Sequence, residues 1–196
     1  MYSFFPTVNF TLLYHTSYLN LNDYSNAIKL IDQTDSICSM PLPVDMAIVY
    51  AISELHVGRM EEAIEIIDSL QIIENFSETE STRSFALAKA LQECHMVDKA
   101  LNFIHLLLTL PEYRTSEVYE LSYLCYTEKK EVDHCIEDLS KALEVFHGTN
   151  EKKQSLALAL SKLYDEKGEL LKSVEITTKY LSKSRHLQVP LFPPFH

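Results

Sequence analysis

"RMEEAIEIIDSL", residues 59–70, reads as one amphipathic helix. Ala63, Ile64, Ile66, Ile67 and Leu70 form its apolar stripe, and Glu61, Glu62, Glu65 and Asp68 its wet side, at the 3.6-residue period of a helix. Nearly the same phrase stands upstream at "DYSNAIKLID", residues 23–32, and downstream at "MVDKALNFIHLL", residues 96–107. Aligned on a small residue followed four positions later by a bulky one, the copies are Ala27–Ile31, Ala63–Ile67, Ala100–Ile104 and Cys135–Leu139. A weaker fifth copy is Ser173–Thr177, whose second position has become polar. The anchors lie 36, 37, 35 and 38 residues apart. Helical patterning repeated at that period predicts stacked helical hairpins.

A partner helix is expected upstream of each anchor. "FTLLYHTSYLNL", "MAIVYAISELHV", "SFALAKALQECH", "VYELSYLCYTEK" and "LALALSKLYDEK" all carry helical periodicity and each precedes a short polar turn. Gly58 and Gly168 stand five residues before their anchors, where a glycine can end the first helix. The chain has only three glycines, too few for the tight turns of an all-β fold or for a phosphate-cradling loop.

These residues resemble the tetratricopeptide repeat (TPR) family, whose pattern runs W-x2-L-G-x2-Y in the first helix and A-x3-F in the second. Tyr18, Tyr126 and Tyr164 fall on the tyrosine position, Tyr50, Leu87 and Leu160 on the leucine position, and Ala51, Ala88 and Ser161 on the small position. The chain departs from the pattern in having no tryptophan, in placing His15 and Tyr123 at the small position, and in its longer units. The resemblance implies an all-α, right-handed α-solenoid of about five antiparallel helix pairs. The expected organisation is an extension over 1–7, a solenoid over 8–186 (units 8–43, 44–80, 81–115, 116–153 and 154–186), and a proline-rich apolar tail over 187–196.

The same resemblance implies a protein–protein interaction scaffold, with a groove lined by the first helices and no enzymatic activity. Carried over by phase, the groove residues are Leu12, Leu19, Ile48, Ile52, Leu55, Phe85, Lys89, Glu93, Glu117, Glu120, Glu128 and Lys162, with Asn9, Thr16, Asn20, Asp45, His56, Thr82, Gln92, Leu124, Thr127, Ser155, Leu158, Asp165 and Glu166 beside them. The first two units contribute apolar side chains and the later ones mostly acids. The expected partner is therefore a peptide or helix with apolar anchors at one end and basic residues at the other, within a multi-subunit complex. The competing reading is that the apolar positions are plain core and the acids a solvated face. The chaperone-tail subclass of the family grips carboxylates with several cations. Here the matching positions hold Leu12, Thr16, Ile48, Ile52, Phe85 and Lys89, which disfavours that role. A peptide-sensing regulator and a secretion-type chaperone are the alternatives among binding proteins.

The net charge of −11, from 17 Lys and Arg against 28 Asp and Glu, argues against direct nucleic-acid binding and against anionic membrane surfaces. No basic stretch exceeds Lys152-Lys153 or the run from Lys179 to Arg185. "ECH" at 93–95 and "DHC" at 133–135 raise a zinc reading. His134 and Cys135 point about 100° apart on a helix, and Cys135 is a hairpin anchor, so structural thiols and no cofactor are expected. No G-x-S-x-G elbow or H-E-x-x-H pair occurs. Four cysteines without C-x-x-C spacing, a start without a basic region, and no long apolar run predict a soluble, intracellular, cytoplasmic protein.

The last second helix, "LLKSVEITTKYL", keeps Leu170, Leu171, Val174 and Tyr180 although no helix is expected after it, since Pro190, Pro193 and Pro194 forbid one. The tail folds back as a cap, the ends dock in an oligomer or assembly, or the chain is a piece of a longer array. The uncharged apolar tail favours the last two, and as a proline-rich segment it is also a candidate polyproline ligand.

Overall fold

A computed structural model describes residues 17–37, 42–70 and 78–181. Residues 17–20 are helical, and α1 (Tyr24–Ile37), α2 (Val44–Val57), α3 (Met60–Leu70), α4 (Glu78–Glu93) and α5 (Val97–Thr109) follow. A 3-10 turn (Pro111–Tyr113) precedes α6 (Ser116–Lys129), α7 (Val132–Val145), α8 (Asn150–Glu166) and α9 (Leu170–Leu181). All regular structure among the described residues is helical, and α2 packs on α3, α4 on α5, α6 on α7 and α8 on α9 as sequential pairs. Two compact units divide the chain, one ending at Tyr113 and the other beginning at Arg114.

One backbone device closes every hairpin. Asn22, Gly58, His95, Lys130 and Gly168 all have positive φ, between 56° and 86°, and each stands five residues before its anchor. In each turn the residue after the left-handed one donates its N–H to a carbonyl five positions back: Asp23 to Tyr18 at 2.8 Å, Arg59 to Glu54 at 2.9 Å, Met96 to Leu91 at 2.8 Å, Glu131 to Tyr126 at 3.0 Å and Glu169 to Tyr164 at 2.8 Å. These bonds satisfy carbonyls that a helix end otherwise leaves without partners. The glycine rule foresaw two of the five turns. Asn22, His95 and Lys130 accept the same conformation without a glycine, and only the shared phase marks them.

In the first unit, Ala51 and Ala63, and in the next hairpin Ala88 and Ala100, are fully buried. α2 also packs along α4. Asp45 of α2 and Arg83 of α4 form an ion pair between the starts of those helices, and Ala90 on α4 is buried. Ile31, Met46 and Val49 form a core between α1 and α2, with Leu19, Leu42 and Tyr50 packed against it. In the second unit the core is Leu139, Leu143, Phe146, Leu156, Ala157 and Leu160, backed by Tyr123, Leu163, Tyr164, Ile176 and Tyr180.

The stripe on α9 stands open. Leu170, Leu171 and Val174 are 64%, 88% and 62% exposed, and Tyr180 is half-buried. The tail over 187–196 and the extension over 1–7 lie outside the described residues, as do Cys38 and most of the first helix of the first unit.

Candidate functional site

The apolar half of the expected groove is closed. Ile48, Ile52 and Leu55 are 0%, 5% and 2% exposed, so they lie in packed core and present no open surface. Leu19 is half-buried against the α1–α2 core, Phe85 is half-buried, and Leu12 lies outside the described residues. The physical reason is the close packing of α2 along α4. The two helices pack along each other, and Ala90 on α4 is buried.

The charged half is partly engaged within the chain. Glu93 faces Lys89 one turn back on α4 at 3.9 Å. Glu120 accepts from Ser116 Oγ at 2.9 Å and meets Lys152 Nζ at 3.2 Å. Glu128 also has a partner, and Glu117 is exposed.

An open cleft does exist in the second unit. It has a volume of about 490 Å³ and lies between α6 and α8, with α7 contributing to its wall. α6 supplies Tyr123 and Thr127, with Lys130 just past its end, and α7 supplies Val132 and Cys135. α8 supplies Ser155, Leu158, Ala159, Lys162, Leu163 and Glu166. Tyr123 and Leu163 occupy the repeat positions that hold Ala51 and Ala90 in the first unit, and both line this cleft. α7 packs on both of its neighbours, whereas α6 and α8 do not form a comparably packed pair.

Apolar surface is available here. Leu158, which lines the cleft from α8, is 46% exposed. Thr127 Oγ1 donates to Tyr123 O at 2.8 Å and lies 3.6 Å from Cys135 Sγ, which ties the thiol to the cleft wall. Burial pushes the Cys135 thiol above its ordinary range, with its hydrogen-bonding contact to Thr127 opposing. Cys125 is fully buried, and burial followed by the charges of Glu128 and Asp138 pushes it up to about 12. Burial, then Glu93, raises Cys94 as well. Nucleophilic work needs a thiolate, and all three thiols are held on the neutral side.

The Cys-His neighbours separate as the helix geometry requires. Cys135 is buried, while the ring of His134 stacks on Tyr126, with centroids 4.5 Å apart, and its Nδ1 lies 3.1 Å from Glu131. No group of three or more His, Cys, Asp or Glu among the described residues is arranged to hold a metal ion.

In the first unit a carboxylate is buried. Glu54 is 0% exposed, and its Oε1 lies 3.5 Å from Arg59 Nη1. It occupies the position that Tyr18, Tyr126 and Tyr164 hold in other units, so an acid stands where the hairpin otherwise places a ring or, at Leu91, an aliphatic side chain. Burial raises its pKa; Arg59 opposes that rise, and Glu62 and Asp32 reinforce it. Tyr50 beside it donates to Asp32 at 2.8 Å, and burial is the main cause of its raised pKa.

Among solved structures the chain superposes on MamA. One MamA crystal structure matches with a TM-score of 0.67 at 17% identity, covering 95% of this chain and 98% of that one. MamA 41-end from Desulfovibrio magneticus RS-1 matches with a TM-score of 0.63 at 14% identity, covering 91% and 97%. A MamA RS-1 double mutant gives 0.65 at 14% identity, covering 91% and 94%. MamA contains tetratricopeptide repeats. The fold here is the TPR fold. No family model matches the sequence, and no curated protein does. Identity at this level shares the TPR architecture alone and carries no residue's role across. Among the described residues, no helix is long and apolar enough to cross a membrane.

Proposed function

We propose that this TPR-fold chain is a non-catalytic scaffold that holds a segment of a partner protein in the α6–α8 cleft, within a larger complex. The observation that carries the reading is the cleft itself, an open recess of about 490 Å³ in whose wall Leu158 stays 46% exposed. A helix or extended peptide is the occupant that a recess between two helices accepts, with an apolar anchor seated on Leu158. The raised thiol pKa values and the isolation of His134 from Cys135 support binding over chemistry at this site.

The test compares Leu158→Glu with Leu171→Glu in capture from native lysate, after circular dichroism has confirmed both folds. Both leucines are exposed, so only their place on the molecule differs. A partner lost with Leu158→Glu and kept with Leu171→Glu supports the cleft. A partner that binds both variants equally removes it as the binding site.

A further inference from the structure

The pairing of charges on this chain runs against the partner that its acidic composition suggests. Among the described residues, Arg59, Arg83, Lys89, Lys99, Lys129, Lys141, Lys152, Lys167 and Lys172 each meet a carboxylate. Lys153 and Lys179 lie over the ring of Tyr180 at 5.6 and 5.0 Å, and Arg114 has a partner too. Three lysines with described side chains are left without an acidic or aromatic partner: Lys29, Lys130 and Lys162. Two of the three, Lys130 and Lys162, line the α6–α8 cleft. Of the acids expected to form a negative groove, Glu93 is meanwhile engaged with Lys89 and Glu120 with Lys152.

We infer that the cleft takes an acidic segment, one that sets an aliphatic or aromatic side chain on Leu158 and carboxylates toward Lys130 and Lys162. This rests on the proposed cleft function and names the chemistry of its occupant. Complementary charge selects a partner and speeds its approach more than it tightens the complex. Two unengaged ammonium groups beside an apolar patch discriminate against a basic segment, because like charge next to Lys130 and Lys162 is repelled. Glu166 is the one acid lining the cleft. It stands one turn from Lys162 on α8 and fixes where along the recess a carboxylate is least welcome. The occupant is therefore acidic at defined positions relative to its apolar anchor and need not be acidic throughout.

The experiment is selection of a displayed random-peptide library on the full chain, repeated on Lys130→Glu/Lys162→Glu and on Leu158→Glu. Circular dichroism and urea midpoints confirm each variant's fold, and Lys162→Gln provides a milder single change. The expected result is enrichment of peptides carrying Asp or Glu at a fixed spacing from an apolar residue. Their affinity should fall at least ten-fold on the charge-reversed chain and fall further as salt is raised on the wild type. Enriched peptides that are rich in Lys or Arg, or acidic ones that bind the charge-reversed chain equally well, overturn the inference while leaving the cleft as a site. If no enriched peptide depends on Leu158, the cleft reading fails and this inference falls with it.

Discussion

Ser161 Oγ and Ser173 Oγ lie 2.8 Å apart and share a buried hydrogen bond between α8 and α9. Their positions are held by Ala51 and Ala63 in one hairpin and by Ala88 and Ala100 in another. The last hairpin thus keeps the small-on-small contact and adds a polar pair to it. Removing the Ser173 hydroxyl leaves Ser161 buried with a poorer partner, Thr177 at 3.5 Å, and removing the Ser161 hydroxyl takes from Ser173 the partner of its buried side chain. Ser161→Ala alone is expected to cost about 1–2 kcal/mol, whereas Ser161→Ala/Ser173→Ala costs less than the sum of the single changes. A double-mutant cycle by urea unfolding measures the coupling.

Glu54 gives a pH dependence with a definite sign. Its pKa is raised in the folded state by burial, so the folded chain binds its proton more tightly than the unfolded chain does. Stability from this group is fully present below the unfolded value of 4.5 and is lost as pH rises through the raised folded value. Glu62 and Asp32 face the same carboxylate and add to the rise, while Arg59 and the hydrogen bond with Tyr50 oppose it. Glu54→Leu, the residue type that Leu91 supplies at this position in the next unit, is expected to raise stability at pH 7 by about 1–4 kcal/mol. It should also flatten the melting-temperature profile between pH 4.5 and neutrality. An unchanged profile would remove Glu54 as the titrating group.

Core and cleft should separate cleanly by truncation. Ile48→Ala, at a fully buried position, is expected to cost about 2–5 kcal/mol. Leu158→Ala, at a position 46% exposed, should stay within about 1 kcal/mol of wild type. Chemical denaturation of the two variants decides whether Ile48 is core or groove. Equal small effects would return Ile48 to an accessible surface.

The left-handed turn residues offer a stabilising change. Lys130 holds φ 60° with a β-carbon that a glycine lacks. Lys130→Gly is expected to add about 1 kcal/mol, read as a shift in the urea midpoint at constant slope. Gly58→Ala, at φ 86°, should shift it the other way.

Thiol labelling reports on the buried cysteines. Cys125, with its thiol pushed up to about 12 and no exposed surface, should react with iodoacetamide at pH 8 roughly 100-fold or more slowly than a free cysteine. Denaturant should abolish that protection. Fast labelling of Cys125 in the folded chain, located by mass spectrometry, would contradict its burial.

Paired helices and their phase were legible because the small-x-x-x-bulky anchor is a packing requirement, and Ala27, Ala63, Ala100 and Cys135 all meet it at 2% exposure or less. Of the ten residues that phase alone places on the groove side in the last two units, Thr127, Ser155, Leu158, Lys162 and Glu166 line the cleft, and Glu117, Glu120, Leu124, Glu128 and Asp165 do not. Ile48, Ile52 and Leu55 were misread because phase says which way a side chain points and nothing about how far off the next helix stands. In the fold α2 packs along α4, whereas Tyr123 and Leu163 line an open cleft between α6 and α8. Lys130 escaped notice because it belongs to a turn, and whether its charge was engaged could be read only from the folded chain. Glu54 gave no warning, since an acid near the end of a helix reads as solvent-facing.

The five matching turns also govern how the chain comes to be folded. Each joins helices that are neighbours in sequence, so closing a hairpin brings together residues only a short loop apart and spends little chain entropy. Structure can then nucleate at any hairpin and spread to the next without waiting for a distant segment. A nascent chain with this layout gains order one hairpin at a time as it leaves the ribosome, and a lesion in one turn leaves its neighbours able to form.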